Sequence, residues 1–327
     1  MLLAPVCLHA QPDAAMRDAK DLSAPQQSTT GPVPPPGVKP KTPDKVGLKA
    51  NDKLISGVPG YLWRHGCGPT CVGMVIGYYD SHGYPELIPG DAATQTDQVN
   101  QAIASQDSES NPRHYEDYSL PLDDSTPNIL EDKSEPPVGD EHSSNCVADF
   151  MHTSWSVDNN RYGWSWSNMI GAGFVSYVNL VASEYQPSCA DYYPGNPITW
   201  SVLTTQIDAN MPMVFLVDTD GDGYTDHFVT AIGYRDSQGF QEYACFDTWN
   251  PADEVRWEPF RPINAGDTWG IWGGTSFTLS APPVTPTPYP WAYLVDYLLE
   301  RPGSSGDDLN EDKKIDIADV IFMMINP

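Results

Sequence analysis

Two stretches of this chain are barred from any core. Pro32, Pro34, Pro35 and Pro36 form a run broken only by Val33, and Ala281 to Pro290 alternates Pro with Thr. Proline lacks the N–H that helices and ladders use, and such runs stay stiff and extended. Residues 11–50, around the first run, are also rich in Ser, Gln, Asp and Lys and show no apolar periodicity. They read as a Pro-rich linker, because a folded inhibitory pro-domain would need that periodicity. Residues 281–292 read as a second linker. Folding is thereby confined to a body at 51–280 and a small module at 293–327. No repeat of period 20 to 50 is visible.

Composition narrows the partners. Lys and Arg number 17 against 44 Asp and Glu, for a formal net charge of -27. Nucleic-acid binding needs clustered Lys and Arg, so it is excluded, as is a polybasic membrane surface. No run approaches the ~18 apolar residues of a transmembrane segment. Residues 1–10 are apolar and stop before Gln11-Pro12-Asp13, like the back half of a secretory signal peptide without its positive start. These features fit a modular protein that is secreted or held at a bacterial cell surface.

The six cysteines are Cys7, Cys67, Cys71, Cys146, Cys189 and Cys245. Cys7 would leave with a signal peptide. The remaining five allow one reactive thiol and up to two disulfides, or five reduced thiols. No Cys-x-x-Cys pair occurs, so no zinc pattern is present.

Cys67 has the most informative setting. Gly66 and Gly68 bracket it, and Pro69 suits a first helical turn. Val72, Val75, Ile76 and Tyr79 follow at helical spacing and predict a core-facing stripe. Cys67 then opens a buried helix, whose free N–H groups and dipole favour a thiolate. The flanking glycines would let a substrate backbone approach. The competing role is a structural thiol. Cys71, one turn on, reads as packed or disulfide-bonded.

A thiol nucleophile needs a base, and the base needs an orienting partner. Met213 to Val217 is a short apolar run. His227 to Tyr234 and Glu242 to Trp249 have strand composition around the turn Asp236-Ser-Gln-Gly239. A hairpin centred on that turn places His227 opposite Thr248, within one residue of Asp247. Asp247 could then accept from one ring nitrogen while the other faces the thiol, with Asn250 the alternative. A surface His beside an exposed Asp is the plainer reading.

Together, Gly-Cys-Gly-Pro-Thr opening a helix, His-Phe-Val-Thr-Ala-Ile-Gly-Tyr and the Asp-Thr-Trp strand end resemble papain-like cysteine peptidases. The branch they look like is that related to bacteriocin-leader-processing (double-glycine) peptidases, over about residues 54–280. The resemblance implies an α+β fold, with a helical lobe carrying the nucleophile and an antiparallel sheet lobe. It also implies hydrolysis of peptide bonds by Cys67 as nucleophile, His227 as base and Asp247 as orienting acid. One departure is clear. Tyr61 stands where such enzymes place a Gln that donates to the oxyanion, and no Gln occurs between Asn51 and Gly66. Donors would then come from the Cys67 N–H and from Trp63, Arg64 or His65.

Two acidic loops have calcium spacing. Asp218, Asp220, Asp222 and Asp226 take positions 1, 3, 5 and 9, Gly223 takes 6, and Tyr224 offers a carbonyl at 7. Position 12 is Val229, so the usual bidentate Glu is missing. A solvated acidic turn is the alternative. A bound ion would fix where the His227 strand begins, making calcium a structural cofactor. Near the C-terminus, Asp308, Asn310, Asp312, Asp316 and Asp319 take positions 1, 3, 5, 9 and 12, with the Lys314 carbonyl at 7. With the apolar Val320 to Ile325 behind it, this resembles one loop-plus-helix repeat of a type I dockerin. The resemblance implies a small α-helical calcium-loop module and a cohesin-type partner. Lys313 replaces the usual Gly, and Leu294 to Leu299 looks like the helix of a first repeat without its loop.

Residues 105–145 carry 11 acidic against two basic residues and read as a solvated insertion. Trp155, Tyr162, Trp164 and Trp166 suit a peptide groove, a sugar platform or a core. Residues 168–182 and 199–209 look helical. The reading is a secreted cysteine peptidase with a calcium-supported site, acting on peptide or protein. The missing Gln favours the alternative, a weak or inactive extracellular module binding peptide or carbohydrate.

Overall fold

The computed structural model describes residues 22–38, 52–105, 144–153, 163–250, 254–281 and 321. Its order is β1 (Lys53–Leu54), α1 (Cys67–Ser81), α2 (Asp97–Ile103), α3 (Val147–Phe150), a 3-10 turn (Ser167–Met169), α4 (Ile170–Val181), β2 (Gln186–Tyr192), α5 (Trp200–Asp208), β3 (Met213–Asp218), β4 (His227–Ser237), β5 (Phe240–Phe246), β6 (Arg256–Pro259) and β7 (Gly270–Ser280). The strands form one antiparallel sheet in the order β2-β7-β3-β4-β5-β6. β3 pairs with the first half of β4, from His227 to Ala231, and β1 with Gly233 and Tyr234. This mixed helix and antiparallel sheet is compatible with a papain-like α+β fold.

α1 starts where local chemistry says it should. Gly66 caps it at φ 132, a backbone conformation that residues with a Cβ rarely adopt. Pro69 falls in the first turn, where its missing N–H is harmless. Every residue from Cys67 to Tyr79 is buried, so the expected stripe is only part of a helix enclosed on all sides. Its apolar side chains pack on β4 and α4. Burying each of Val72, Val75 and Ile76 contributes ~1.5–3 kcal/mol. Gly73 lets Ile103 of α2 approach closely, because a Cβ there would overlap that side chain. The Tyr79 hydroxyl donates to the Phe277 carbonyl at 2.9 Å, tying α1 to β7.

Residues 22–38 were expected to be part of a spacer, but they are docked on the body. Gln27 forms an antiparallel bridge with Trp166, and the Trp272 Nε1–H donates to the Leu22 carbonyl. Main-chain pairing needs no apolar period, so the sequence pattern carried no sign of it. Cys67, Cys71, Cys146 and Cys245 are buried, and no disulfide joins any of them.

The chain divides into two compact units, Met1–Ser280 and Ala281–Pro327. The signal-like residues 1–10, most of the acidic insertion, and Trp155 and Tyr162 lie outside the described residues. So does the second acidic loop, with Asp308, Asn310, Asp312, Lys314, Asp316 and Asp319.

Candidate active site

Cys67 and His227 come from elements that pack face to face. Cys67 is the first residue of α1, and His227 the first of β4. The N–H of Phe228, next to His227, donates to Cys67 Sγ at 3.3 Å. Both side chains are fully buried. His227 Nε2 meets the Asp247 main-chain carbonyl at 2.8 Å, and Nδ1 lies 2.7 Å from Thr30 Oγ1.

The hairpin register explains this neighbourhood. Ser237 pairs with Phe240, but a bulge between Ala231 and Gly233 shifts the ladder so that Thr230 pairs with Phe246. Continued past β5, that register brings Trp249 opposite His227, one residue beyond the Thr248 expected. The two rings stack at 3.6 Å between centroids and 15° between planes. Thr248 makes the sharp turn at φ 60, an unusual conformation for a β-branched residue. Its carbonyl accepts from the Trp63 N–H at 2.7 Å.

Asp247 sits beside His227, but its carboxylate points elsewhere. Oδ2 accepts from Arg256 Nε at 2.8 Å and from Asn250 Nδ2 at 2.6 Å. Oδ1 accepts from the N–H groups of Trp249 and Asn250. The ring is therefore met by the carbonyl, while the carboxylate anchors the loop. Asn250 bonds Asp247, not the ring. Arg256 also reaches Glu258 at 3.0 Å. Sequence reasoning missed Trp249 and Arg256. The register of the hairpin could have found the first; no local pattern marks the second.

Electrostatics set the resting state. Burial pushes the Cys67 thiol up to about 11, against hydrogen bonds from the Phe228 N–H and the Ser28 and Thr30 hydroxyls. Burial also pulls His227 down to about 4, against the bond and charge of Asp247, which raise it. As folded, the pair is a neutral thiol and a neutral imidazole. Desolvation outweighs the helix dipole that was expected to favour a thiolate.

The other candidates divide. Tyr61 is in the core and donates its hydroxyl to the Ala92 carbonyl. Arg64 reaches the Ala104 carbonyl with Nη2 at 3.2 Å. His65 is buried, and that burial, then the charge of Arg64, holds it well below its ordinary value. The glycines serve packing: a Cβ on Gly66 would meet the Gly163 carbonyl, and one on Gly68 would meet Met151 and Ser165.

The first acidic loop joins β3 to β4. Ligand oxygens of Asp218, Asp220 and Asp222 lie within 4.8 Å of one another. Asp218 is buried and accepts from the N–H groups of Gly221 and Gly223, both at 2.7 Å. The Tyr224 N–H donates to Asp222. Asp226 lies outside that group, its carboxylate taken by the N–H and hydroxyl of Thr219.

The sequence matches the Peptidase_C39 like family over residues 55–276. The chain belongs to that family. Membership supports cysteine peptidase activity in general, and with it a peptide substrate. The matched span holds Cys67, His227 and Asp247, and excludes residues 22–38 and the C-terminal unit. No curated protein matches the chain. Among the described residues, no helix is long and apolar enough to cross a membrane.

Proposed function

We propose that this member of the family is a secreted cysteine peptidase in which Cys67 is the nucleophile and His227 the base. The observation that carries the reading is the meeting of α1 and β4, where Phe228 N–H lies 3.3 Å from Cys67 Sγ. In the reacting state the thiol proton passes to His227 Nδ1. The thiolate attacks the substrate carbonyl carbon, and the Cys67 N–H, unpaired within its helix, donates to the oxyanion. His227 then returns the proton to the leaving amine. Water, deprotonated by the same ring, attacks the thioester and frees the acid and Cys67. Asp247 holds Nε2 through its main-chain carbonyl, and its carboxylate holds the loop.

Calcium belongs to the same reading. Asp218, Asp220 and Asp222, with the Tyr224 carbonyl, would bind it and fix the loop that ends at His227. Its role is structural. The dockerin-like module at 293–327 would bind a second ion and anchor the protein to a cohesin-type partner.

The test compares the parent with Cys67→Ala on casein and a peptide library, each in the full chain and in a Thr30→Arg background. Hydrolysis should vanish with Cys67→Ala. If no parent form cleaves more than the Cys67→Ala protein, the second reading stands: a binding module on the same fold. Tyr61, bonded to Ala92 where a Gln donor is expected, is the observation in its favour.

A further inference from the structure

We propose that residues 26–31 are an intramolecular ligand of the Cys67–His227 site, holding the protein latent and marking its groove as one for extended peptides with short side chains facing the thiol. The consequence for activity rests on the peptidase reading; the geometry does not.

The segment is held as a peptide would be, by its main chain on both sides. On one wall the Ser28 N–H donates to the Ser165 carbonyl at 3.0 Å, and the Ser167 N–H to the Gln26 carbonyl at 2.8 Å. On the other, the N–H groups of Thr29 and Thr30 donate to the Asp226 carbonyl at 2.8 and 3.1 Å. Thr225 Oγ1 donates to the Gln27 carbonyl at 2.9 Å. Past the site, Trp249 Nε1 donates to the Gly31 carbonyl at 3.0 Å. A substrate strand using these walls has no room until the segment leaves.

The side chains block the chemistry itself. His227 Nε2 faces a carbonyl, which only accepts, so Nε2 carries the proton and Nδ1 offers a lone pair. Thr30 Oγ1 sits against that lone pair at 2.7 Å, its single proton shared with the Asp226 carbonyl at 2.9 Å. The same hydroxyl, with that of Ser28, also acts on the Cys67 thiol, lowering the pKa that burial raises. Thr30 thus occupies the proton acceptor that the thiol needs. Ser28 and Thr30 are 0% and 5% exposed, so longer side chains would not fit. Upstream of the segment, Ser23 and Pro25 line a pocket of about 270 Å³ walled by Leu216, Phe228 and Trp272.

The experiment uses the full chain and two readouts, alkylation of Cys67 by iodoacetamide, located by peptide mass mapping, and hydrolysis of a peptide library. Ser28→Arg and Thr30→Arg should expel the segment. The observed labelling rate scales with the open fraction, so it should rise about tenfold or more. A synthetic peptide of residues 23–36 should slow labelling of the variants again, and the same peptide with Thr30→Phe should not. If either variant loses its near-UV dichroism, Thr30→Val, which keeps the shape and removes the hydroxyl, is judged by the same ratio. A parent that labels as fast as folded variants would overturn the proposal, as would variants that stay protected. Faster labelling with no hydrolysis leaves the latch standing and removes the peptidase reading. Equal hydrolysis by parent and variants does the reverse.

Discussion

The loops on either side of His227, at 218–226 and 247–250, solve the same problem by the same division of labour. Each contributes an aspartate beside the ring, and each turns the carboxylate away. Asp226 gives its carboxylate to Thr219 and its carbonyl to the segment at Thr29 and Thr30. Asp247 gives its carboxylate to Arg256 and Asn250 and its carbonyl to His227 Nε2. They differ in what balances the charge. Loop 247–250 has a buried cation within the chain. Loop 218–226 has none among its described hydrogen-bond partners, and three carboxylates converge there. The lesson is that a carboxylate next to a base in sequence can act as an anchor while its peptide unit does the positioning.

The largest expected effect comes from removing the cation of the second loop. Arg256→Met leaves Asp247 and Glu258 buried without it, and breaking such a pair costs ~3–5 kcal/mol. Urea unfolding reads this directly. A loss under ~1 kcal/mol would mean that Asn250 and the loop N–H groups suffice as anchors.

Calcium is the corresponding test of the first loop. At ~100 times its dissociation constant it should add ~2.7 kcal/mol, which for a unit this size raises Tm by about 5–10 °C. Asp220→Asn with Asp222→Asn should remove the gain. Superimposed melting curves in calcium and in chelator would break the parallel, leaving an acidic turn with no ion.

Asp247→Asn separates carbonyl from carboxylate. Its main chain is unchanged, so hydrolysis per folded molecule should fall by less than ~tenfold, or ~1.4 kcal/mol. A fall near ~10⁴-fold, as when a triad carboxylate sets the tautomer, would return the ring-holding role to the side chain.

The smallest effect belongs to Trp249→Phe, which keeps an aromatic ring over His227 but removes the N–H that meets Gly31. One hydrogen bond is worth ~0.5–1.5 kcal/mol, so Cys67 alkylation should rise about two- to tenfold. An unchanged rate would show that Gly31 is held by its neighbours alone.

Much of the body could be read in advance. Gly66 and Pro69 announced the start of α1, and residues 168–182 and 199–209 became α4 (Ile170–Val181) and α5 (Trp200–Asp208). The His227 hairpin was legible to within two residues of register at its turn and one at His227. The error arises at the turn, where Ser237 pairs with Phe240, and the bulge between Ala231 and Gly233 takes back one residue of it before His227. The orientation of Asp247 was not legible. It is decided by Arg256, nine residues on and carried by another strand.

By itself, the sequence determined that Cys67 opens a buried helix and that His227 begins a strand behind an acidic loop. Those are local consequences of glycine, proline and apolar spacing. Only the tertiary structure decided what lies between them. Thr30 reaches His227 across 197 residues, through a segment held by its main chain. Backbone hydrogen bonds are available to nearly every residue type, so such docking leaves no periodic trace in the sequence. The Pro-rich stretch barred from the core thus adjoins the segment that closes the site.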